Sequence, residues 1–350
     1  MTSQSSTPDS PGDRGPRVDT GVAETSAGAC AVCGARGEHR MIASKEMMFG
    51  LREPFRYREC RRCGCLQLVD VPDDLGKYYP PDYYSLKIAE PLVDRPAAAF
   101  VRRVRAEVAL RLPESVVERL VAQDRLPELF RWVCGLGLRT TSSIADVGSG
   151  GGEILLAFAR QGFTNLVGFD RFLDSDHVIA GSIPLLRTDI DSDGKRYDLI
   201  MLHHSFEHMP DPRGTLRRLV SCLKPGGRLL IRVPVADSWA FEHYGADWVQ
   251  LDPPRHLFVH TEASMRILAN ECGLEVVRSF RDGYGLQFWG SELYQRDIPL
   301  RQGSTSPPDR AREVLGEAAL SDFDRWAKEL NAAGTGDSGG VVLRRRTSYS

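Results

Sequence analysis

An apolar strand that ends in an acidic residue and a run of glycines, near the middle of the chain, most constrains what this sequence can fold into. The stretch reads Ile144-Ala-Asp-Val-Gly-Ser-Gly-Gly-Gly-Glu153. Helix-like sequence follows, and such strand–glycine–helix transitions let backbone N–H groups at a helix start face a ligand. Because Asp146 at the strand end would repel a pyrophosphate, this spacing of Gly148, Gly150 and Gly152 favours a cationic ligand. The alternative is a tight glycine turn that binds nothing.

Length and composition indicate one large globular domain with appendages. The 350 residues carry a net charge of −2, which argues against a dedicated nucleic-acid binder. No apolar run approaches the roughly 18 residues of a membrane span. Residues 1–28 are rich in Ser, Pro, Gly and Asp and lack a signal-peptide core, so we expect a disordered tail and a cytoplasmic protein. The stretch from about Gly334 onwards is predicted to be disordered as well.

Four cysteines form two Cys-x-x-Cys pairs, and each pair is followed by a glycine that can turn backbone amides towards sulfur. The pairs are Cys30 with Cys33 and Cys60 with Cys63. Two such knuckles predict a tetrahedral zinc site. Four thiolates leave no open coordination position, so the ion should serve folding rather than catalysis. Cys65 could replace Cys63 if the geometry differs, and a metal-free cluster of buried thiols is the alternative.

The spacing Asp146-x-Gly148-x-Gly150-x-Gly152 resembles the first motif of class I S-adenosylmethionine (SAM) dependent methyltransferases. The resemblance implies an α/β fold with a Rossmann-like, seven-stranded sheet, which we expect to be joined to the N-terminal zinc-binding segment and to a helical cap. The last strand of the seven-stranded sheet is expected near Leu286–Trp289. The expected divisions are a tail at 1–28, a zinc-ribbon-like segment at 29–70, a Tyr-rich loop and helical cap at 71–140, the core at 141–300, and a helical, then disordered, tail at 301–350.

The resemblance also implies the cofactor contacts, which are Asp146, Gly148, Gly150, Gly152, Asp170, Asp189 and His204. In this family the strand-end acid and the glycines hold the amino-acid part of SAM. Asp170, at the end of the second strand, would accept hydrogen bonds from the ribose hydroxyls, since a carboxylate offers two acceptor atoms to a vicinal diol. Asp189 would accept from the adenine amino group, unless the alignment slips to Asp191 or Asp193.

The fourth strand runs into His203-His-Ser-Phe-Glu-His-Met-Pro-Asp-Pro212. This segment matches a family pattern of Leu-Glu-His-x-x-Asp-Pro, with Phe206 in place of Leu. Ligands of open α/β sheets lie beyond the carboxyl ends of the strands. The residues expected near the transferred methyl group are therefore His204, Ser205, Glu207 and His208. His203 alternates with His204 along the strand and is predicted to point away.

Two further segments are candidates for a substrate pocket. Residues 236–260 form an insertion in which aromatic side chains alternate with polar groups around the run Asp252-Pro-Pro-Arg-His256. Such a mixture suits a small-molecule pocket. The other segment is the Tyr-rich loop, whose Tyr78, Tyr79, Tyr83 and Tyr84 either line the pocket or cover the zinc segment. We favour the packing role for these tyrosines.

A zinc-ribbon-like segment, a Tyr-rich loop and a methyltransferase core together resemble a group of bacterial small-molecule methyltransferases, some of which serve natural-product or sugar pathways. We therefore predict SAM-dependent methyl transfer to an oxygen or carbon of a small metabolite. Histidine has a pKa suited to removing the acceptor's proton, and His256, His208 and His204 are the candidates. No added divalent ion is expected, because the sequence shows no evident carboxylate–histidine set with open coordination.

Two other functions fit parts of the same sequence. The first is an RNA methyltransferase that uses its zinc segment for RNA contact, supported by Arg56, Arg58, Arg61 and Arg62 near the second knuckle. Steep salt dependence of tight RNA binding would favour it. The second is a SAM-binding partner protein without turnover.

Overall fold

The computed structural model describes residues 25–80, 83–90, 96–301, 303 and 305–346. Among these residues, no helix is long and apolar enough to cross a bilayer. The strands, in chain order, are β1 Thr25–Ala29, β2 Arg36–Lys45, β3 Pro54–Glu59, β4 Leu66–Leu68, β5 Ser143–Val147, β6 Asn165–Phe169, β7 His177–Ile179, β8 Ile183–Leu186, β9 Tyr197–His203, β10 Leu223–Pro234, β11 Phe258–Val259, β12 Leu274–Arg281 and β13 Ser338–Arg345.

Helices connect these strands and cover the larger sheet. They are α1 Pro96–Ala109, α2 Glu114–Ala122, α3 Leu129–Val133, α4 Glu153–Arg160, α5 Pro212–Ser221, α6 Trp239–Tyr244, α7 Glu262–Glu271, α8 Leu286–Gln295, α9 Pro307–Leu315 and α10 Glu317–Ala332. Several begin as the sequence favours: Asp211 caps α5 with Pro212 in its first turn, and Thr261 caps α7 in a capping box. Both arrangements satisfy amide groups that a helix start leaves unpaired.

The larger sheet has the strand order β12-β13-β10-β9-β5-β6-β8-β7. Strands β10, β9, β5, β6 and β8 run parallel, whereas β13 lies antiparallel to both β10 and β12. The central parallel strand β9 is buried along most of its length, and its sequence is a nearly continuous apolar run, as expected for a strand covered on both faces. The predicted Rossmann-like α/β sheet is confirmed, and the short antiparallel strand β7 is added at its edge.

The C-terminal part departs from two predictions. The stretch expected to be a disordered tail contains β13, which fills the sheet between β10 and β12. The glycines of this stretch suggested disorder. In the structure, a Cβ added to Gly340 would lie 2.2 Å from the ring of Phe280. Glycine is therefore required where the ring of Phe280 packs across β13. The strand predicted near Leu286–Trp289 is wrong, because that stretch begins helix α8.

At the N-terminus, β1 lies partly within the predicted tail, while residues 1–24 fall outside the described part of the chain, as do residues 347–350. Strands β1 to β4 form a second sheet, and β11 from the predicted insertion completes it by pairing with β4. The hydroxyl of Tyr57 on β3 donates to the insertion as well, where the carbonyls of Leu251 and His256 each lie 2.8 Å away. The cysteine-bearing segment is therefore built into the core domain.

Helices α1 to α3, predicted to be a cap, pack instead on one face of the larger sheet. Their buried residues, such as Phe130 and Val133, share a hydrophobic cluster with Ile144, Leu155 and Phe158. Arg102 of α1 donates to the carbonyl of Arg160 at the end of α4 at 2.8 Å. The Tyr-rich loop, rather than these helices, crosses the glycine turn: the amide of Gly151 donates to the carbonyl of Ser85 at 2.7 Å.

Candidate active site

A cavity of about 780 Å³ opens at the carboxyl ends of β5, β6, β8 and β9. This is the position at which open α/β sheets bind their ligands. Its floor is formed by the residues that end these strands. Its opposite wall comes from the zinc-ribbon-like segment, the Tyr-rich loop, the insertion and the C-terminal helices, and includes Met48, Tyr79, Tyr83, Val249, Gln250, Tyr284, Trp289 and Leu300.

The glycine turn after β5 is shaped by close contacts. Gly148 and Gly150 have positive φ angles of 75° and 49°. A Cβ on Gly148 would lie 2.4 Å from that of Ser205, and one on Gly150 would lie 2.1 Å from the carbonyl oxygen of Ser85. Gly152 lies behind the turn at the start of α4, where its added Cβ would meet Ile179, and it is not among the cavity-lining residues.

The amides of this turn are paired within the protein. Gly148 donates to the carbonyl of Phe169 at 2.7 Å, Gly150 to the carboxylate of Asp170 at 2.9 Å, and Gly151 to Ser85. The expectation that backbone N–H groups face the ligand is therefore wrong for these residues. The turn presents acidic side chains instead of amide donors, which fits a cationic ligand and does not fit a phosphate.

Asp146 is the buried charge of the cavity floor. It is 1% exposed, and its Oδ1 has no hydrogen-bond partner among the described residues. Burial, and secondly the charge of Asp170, raises the pKa of Asp146 to about 7. A cation bound beside it would supply the missing partner and restore its ionised form.

Asp170 and Asp189, the residues predicted to contact the ribose and the adenine, both line the cavity. The two oxygens of Asp170 accept from the amides of Gly150 and Phe172, each at 2.9 Å, and a carboxylate keeps further lone pairs for a diol. Asp189 is bound by the guanidinium of Arg171 on both oxygens, with a distance of 2.6 Å for Nε to Oδ1. Arg171 was missed because nothing in the spacing of the sequence marks it.

A carboxylate surrounded by histidines also lines the cavity. Glu207 is fully buried, and neither of its oxygens has a hydrogen-bond partner among the described residues. His204 Nδ1 lies 3.6 Å and His256 Nε2 lies 4.0 Å from Glu207 Oε1. Burial raises the pKa of Glu207, whereas the neighbouring imidazoles, His204 first, lower it to about 2 through a hydrogen bond and through the positive charge that they carry when protonated. Glu207 and the histidines around it therefore form a carboxylate–histidine set. No evident set of this kind with open coordination was expected from the sequence.

Backbone carbonyls fix the orientation of two of these rings. His208 Nδ1 lies 2.8 Å from the carbonyl of Arg255, and His256 Nδ1 lies 2.8 Å from the carbonyl of Gln250. Because a carbonyl only accepts, each Nδ1 carries the proton and donates, which leaves the lone pair of the neutral ring on Nε2. Burial, and then the neighbouring His208, lowers the pKa of His256, so its neutral form is favoured.

The strand end sets the direction of the other two histidines. His204 has a φ of 50°, so the alternation of side chains along β9 is broken there. As a result His203, predicted to point away, also lines the cavity. Its Nδ1 lies 3.1 Å from the guanidinium of Arg232, and its ring lies 4.9 Å from that of Trp132.

The Tyr-rich loop has a mixed role. Tyr78 is buried against Phe55 of β3, as the favoured packing role predicts. Tyr79 and Tyr83 line the cavity instead, and the hydroxyl of Tyr79 lies 3.4 Å from His208 Nδ1. The side chain of Tyr84 lies outside the described part of the structure.

The four predicted cysteines come together at one place. Their sulfurs all lie within 4.8 Å of one another, with Cys30 and Cys63 at 3.7 Å and Cys33 and Cys60 at 3.5 Å. This donor set could hold a metal ion and fits the predicted zinc-binding segment. Cys65 lies outside the set, where its sulfur is 3.8 Å from His260 Nδ1.

This sheet order, with one acid near the end of β5 and another directly after β6 at one cavity, is the arrangement that the resemblance to class I SAM-dependent methyltransferases implies. The family model described as a methyltransferase domain matches residues 111–279, which are 169 of the 350 residues of this chain. A curated relative, the ubiquinone biosynthesis O-methyltransferase of Erwinia tasmaniensis, is 25% identical over 127 residues, which cover 32% of this chain and 51% of the relative. The chain thus spans about half the length of the curated relatives it matches.

Solved structures of low sequence identity are similar as well. One is from a complex between a Haloferax volcanii methyltransferase activator and a methyltransferase, with a TM-score of 0.40, 18% identity and coverage of 61% of this chain and 86% of the other. Another is coclaurine N-methyltransferase bound to N-methylheliamine and SAH, with a TM-score of 0.39, 13% identity and coverage of 72% and 88%.

Proposed function

We propose that this protein transfers a methyl group from SAM to an oxygen or carbon of a small metabolite, in a natural-product or sugar pathway. One observation carries the proposal: a single cavity contains both the acids expected to hold the cofactor and a carboxylate–histidine group. When bound, SAM supplies a methyl group on a sulfonium sulfur, and a nucleophile displaces it with the carbon–sulfur electron pair remaining on sulfur.

The residues of the floor fit this cofactor. Asp146, buried and lacking a partner for Oδ1, suits the cationic amino-acid end. Asp170 suits the ribose diol, and Asp189, already oriented by Arg171, suits the adenine amino group. We assign Gly148 and Gly150 to the turn that lets the amino-acid end approach, and Gly152 to the packing of α4 beneath it. His204 lines the same cavity, and its Nδ1 lies 3.6 Å from Glu207 Oε1.

The acceptor should lie against Glu207 and the aromatic wall. His204, His208 and His256 surround that carboxylate, and we propose that this group orients the acceptor atom and removes its proton. The wall of Tyr79, Trp289 and other side chains excludes water and suits a small, partly apolar molecule. The name of the Erwinia relative supports an oxygen acceptor.

The support for RNA as the substrate is weaker. Arg56 is paired with Asp70 through two contacts of 2.8 Å, and Arg58 donates to Gln67 at 3.1 Å. These two side chains therefore already have partners in the fold. For the four-cysteine group we propose a structural Zn²⁺, because four thiolates close the coordination shell of that ion.

Calorimetry with SAM, followed by isotopically labelled SAM and separate pools of small metabolites and RNA, tests the function. We expect SAM to bind and label to enter a small molecule. Folded protein that does not bind SAM would overturn the proposal, and label that enters only RNA would support the alternative.

Single-turnover measurements test the histidine group. His256→Ala should keep SAM affinity and slow methyl transfer by roughly 10²–10⁴-fold, the range typical of general acid–base catalysis. His177→Ala is the matched control, since this histidine pairs with Asp174 and is not among the cavity-lining residues. A near-normal rate in the His256 variant would remove this residue from the acceptor site.

A further inference from the structure

Three donor atoms for a metal ion converge in the cavity. Glu207, His208 and His256 each offer one ligand atom, and these atoms all lie within 4.8 Å of one another. Two ligands that are each about 2.1 Å from one ion stand at most about 4.2 Å apart. Glu207 Oε1 and His256 Nε2, at 4.0 Å, already meet this limit. Three ligands around one ion at this distance lie roughly 3.0–3.6 Å from one another, so the separations of up to 4.8 Å in this group have to shorten by about 1–2 Å when an ion binds.

The hydrogen bonds of the two imidazoles are those of metal ligands. Each Nδ1 donates to a backbone carbonyl at 2.8 Å, from His208 to Arg255 and from His256 to Gln250. Histidine ligands usually donate their second ring N–H in this way, which sets the tautomer and the ring orientation. The backbone thereby leaves both Nε2 lone pairs for another partner.

Glu207 supplies an independent observation. Its side chain is 0% exposed, it lines the cavity, and both of its oxygens lack a hydrogen-bond partner among the described residues. A buried carboxylate is costly unless a cation or donors compensate it. The neighbouring Asp252 needs no such compensation, because Arg255 binds its two oxygens at 2.9 and 2.6 Å. Glu207 has no such Arg or Lys partner among the described residues, and only imidazoles face it, with His204 Nδ1 at 3.6 Å and His256 Nε2 at 4.0 Å.

We propose that Glu207, His208 and His256 bind a divalent first-row transition-metal ion that takes the acceptor's oxygen as a further ligand. Two imidazoles and one carboxylate suit Mn²⁺, Fe²⁺, Co²⁺ or Zn²⁺ and leave coordination positions open. This inference rests on the proposed function and narrows it: the acceptor atom is a hydroxyl oxygen, best with a neighbouring oxygen that also reaches the ion.

The proposed ion and His204 have separate roles in the reaction. By accepting the hydroxyl oxygen as a ligand, the ion lowers the pKa of that hydroxyl, so the O–H proton leaves more readily. His204 is outside the donor set and remains to take the proton. The oxygen lone pair then forms the new bond to the methyl carbon. The sulfonium of SAM is neutralised by the electron pair of the broken carbon–sulfur bond, so charges and protons balance.

Mn²⁺ binding to the whole protein, followed by electron paramagnetic resonance, tests the site. Mn²⁺ prefers oxygen and nitrogen ligands over thiolates, so the four-cysteine group should not compete for it. We expect one Mn²⁺ per chain, bound without SAM or acceptor. Glu207→Gln and His256→Ala should weaken this binding by more than about 100-fold, since even the loss of an outer hydrogen-bond partner costs about 10–100-fold. His177→Ala should bind Mn²⁺ as the wild type does.

Circular dichroism identifies any variant that fails to fold, and His208→Ala then replaces it. Two results overturn the inference: wild-type protein that does not bind Mn²⁺, or equal Mn²⁺ binding by folded ligand variants. SAM calorimetry on the same preparation separates the two proposals. If SAM binds and methyl transfer continues in excess chelator while Mn²⁺ does not bind, the metal site is refuted and the methyltransferase stands. If Mn²⁺ binds and SAM does not, the proposed function fails.

Discussion

Replacing Asp146 by asparagine should stabilise the SAM-free protein while it impairs cofactor binding. The pKa of Asp146 rises from the usual 3.8 to about 7, mainly because the side chain is buried. At about 1.4 kcal/mol per pKa unit, keeping this group ionised in the folded state costs roughly 4 kcal/mol above neutral pH. An asparagine side chain at this position would occupy the same space without a charge.

The pH dependence of this effect follows from the direction of the pKa change. Between about pH 4 and pH 7 the folded state holds a proton on Asp146 that the unfolded state has lost, so the stability of the wild type falls as pH rises through this window. The stabilisation by Asp146→Asn should therefore be larger by roughly 2 kcal/mol at about pH 8 than at about pH 5.5. Urea unfolding of SAM-free protein at both pH values measures it.

Asp198→Asn is a control in which the pKa of the carboxyl group is shifted in the opposite direction, so the expected change in stability is also opposite. Asp198 accepts from Ser143 and Lys224, each at 2.8 Å; burial opposes its ionisation, but these partners hold its pKa below the usual value. Its contribution is present above the unfolded pKa and is lost as pH falls through the folded pKa, so Asp198→Asn should destabilise the protein at about pH 8. An Asp146→Asn variant no more stable than the wild type at either pH would refute the reasoning, as would undiminished SAM affinity.

Asp170→Ala should weaken SAM binding by roughly 1.5–3 kcal/mol, the value of hydrogen bonds to a charged group, as calorimetry would measure; unchanged affinity would remove Asp170 from the ribose site. The loss of two backbone hydrogen bonds in this variant requires a folding control, for which a urea unfolding curve suffices. Protein purified without added metal should contain about one zinc per chain in the cysteine group, and Cys60→Ser should reduce that content and lower the melting temperature. A metal-free, fully stable protein would contradict the zinc prediction.

The parallel part of the sheet could be predicted because each strand carries its own local signal. Strands such as β5 and β9 are short apolar runs that end in turn residues, and the glycine turn and the Glu207-His208 segment follow them directly. Local pattern and final position agree there. The cysteine group could be predicted for a similar reason, because its spacing reflects the geometry of two knuckles.

The C-terminal strand could not be predicted because its signal is not local. In β13, Gly340 reads as a strand breaker and becomes suitable only where the ring of Phe280 lies across it. The direction of His203 depends in the same way on the positive φ of His204, which no periodicity reveals. The carboxylate–histidine set was missed because His256 comes from a segment 49 positions away from Glu207 along the chain.

The pairing of β4 with β11 makes the cysteine-bearing segment unsuitable as an interchangeable module. A shortened chain starting after β4 would expose the edge of β11 and remove the Tyr57 hydroxyl that donates to the carbonyls of Leu251 and His256. These carbonyls border the segment that holds the ring of His256, so such a truncation would disturb the part of the cavity around His256 and Glu207. Exchange of this segment between homologous enzymes should therefore succeed only when residues 249–260 are exchanged with it.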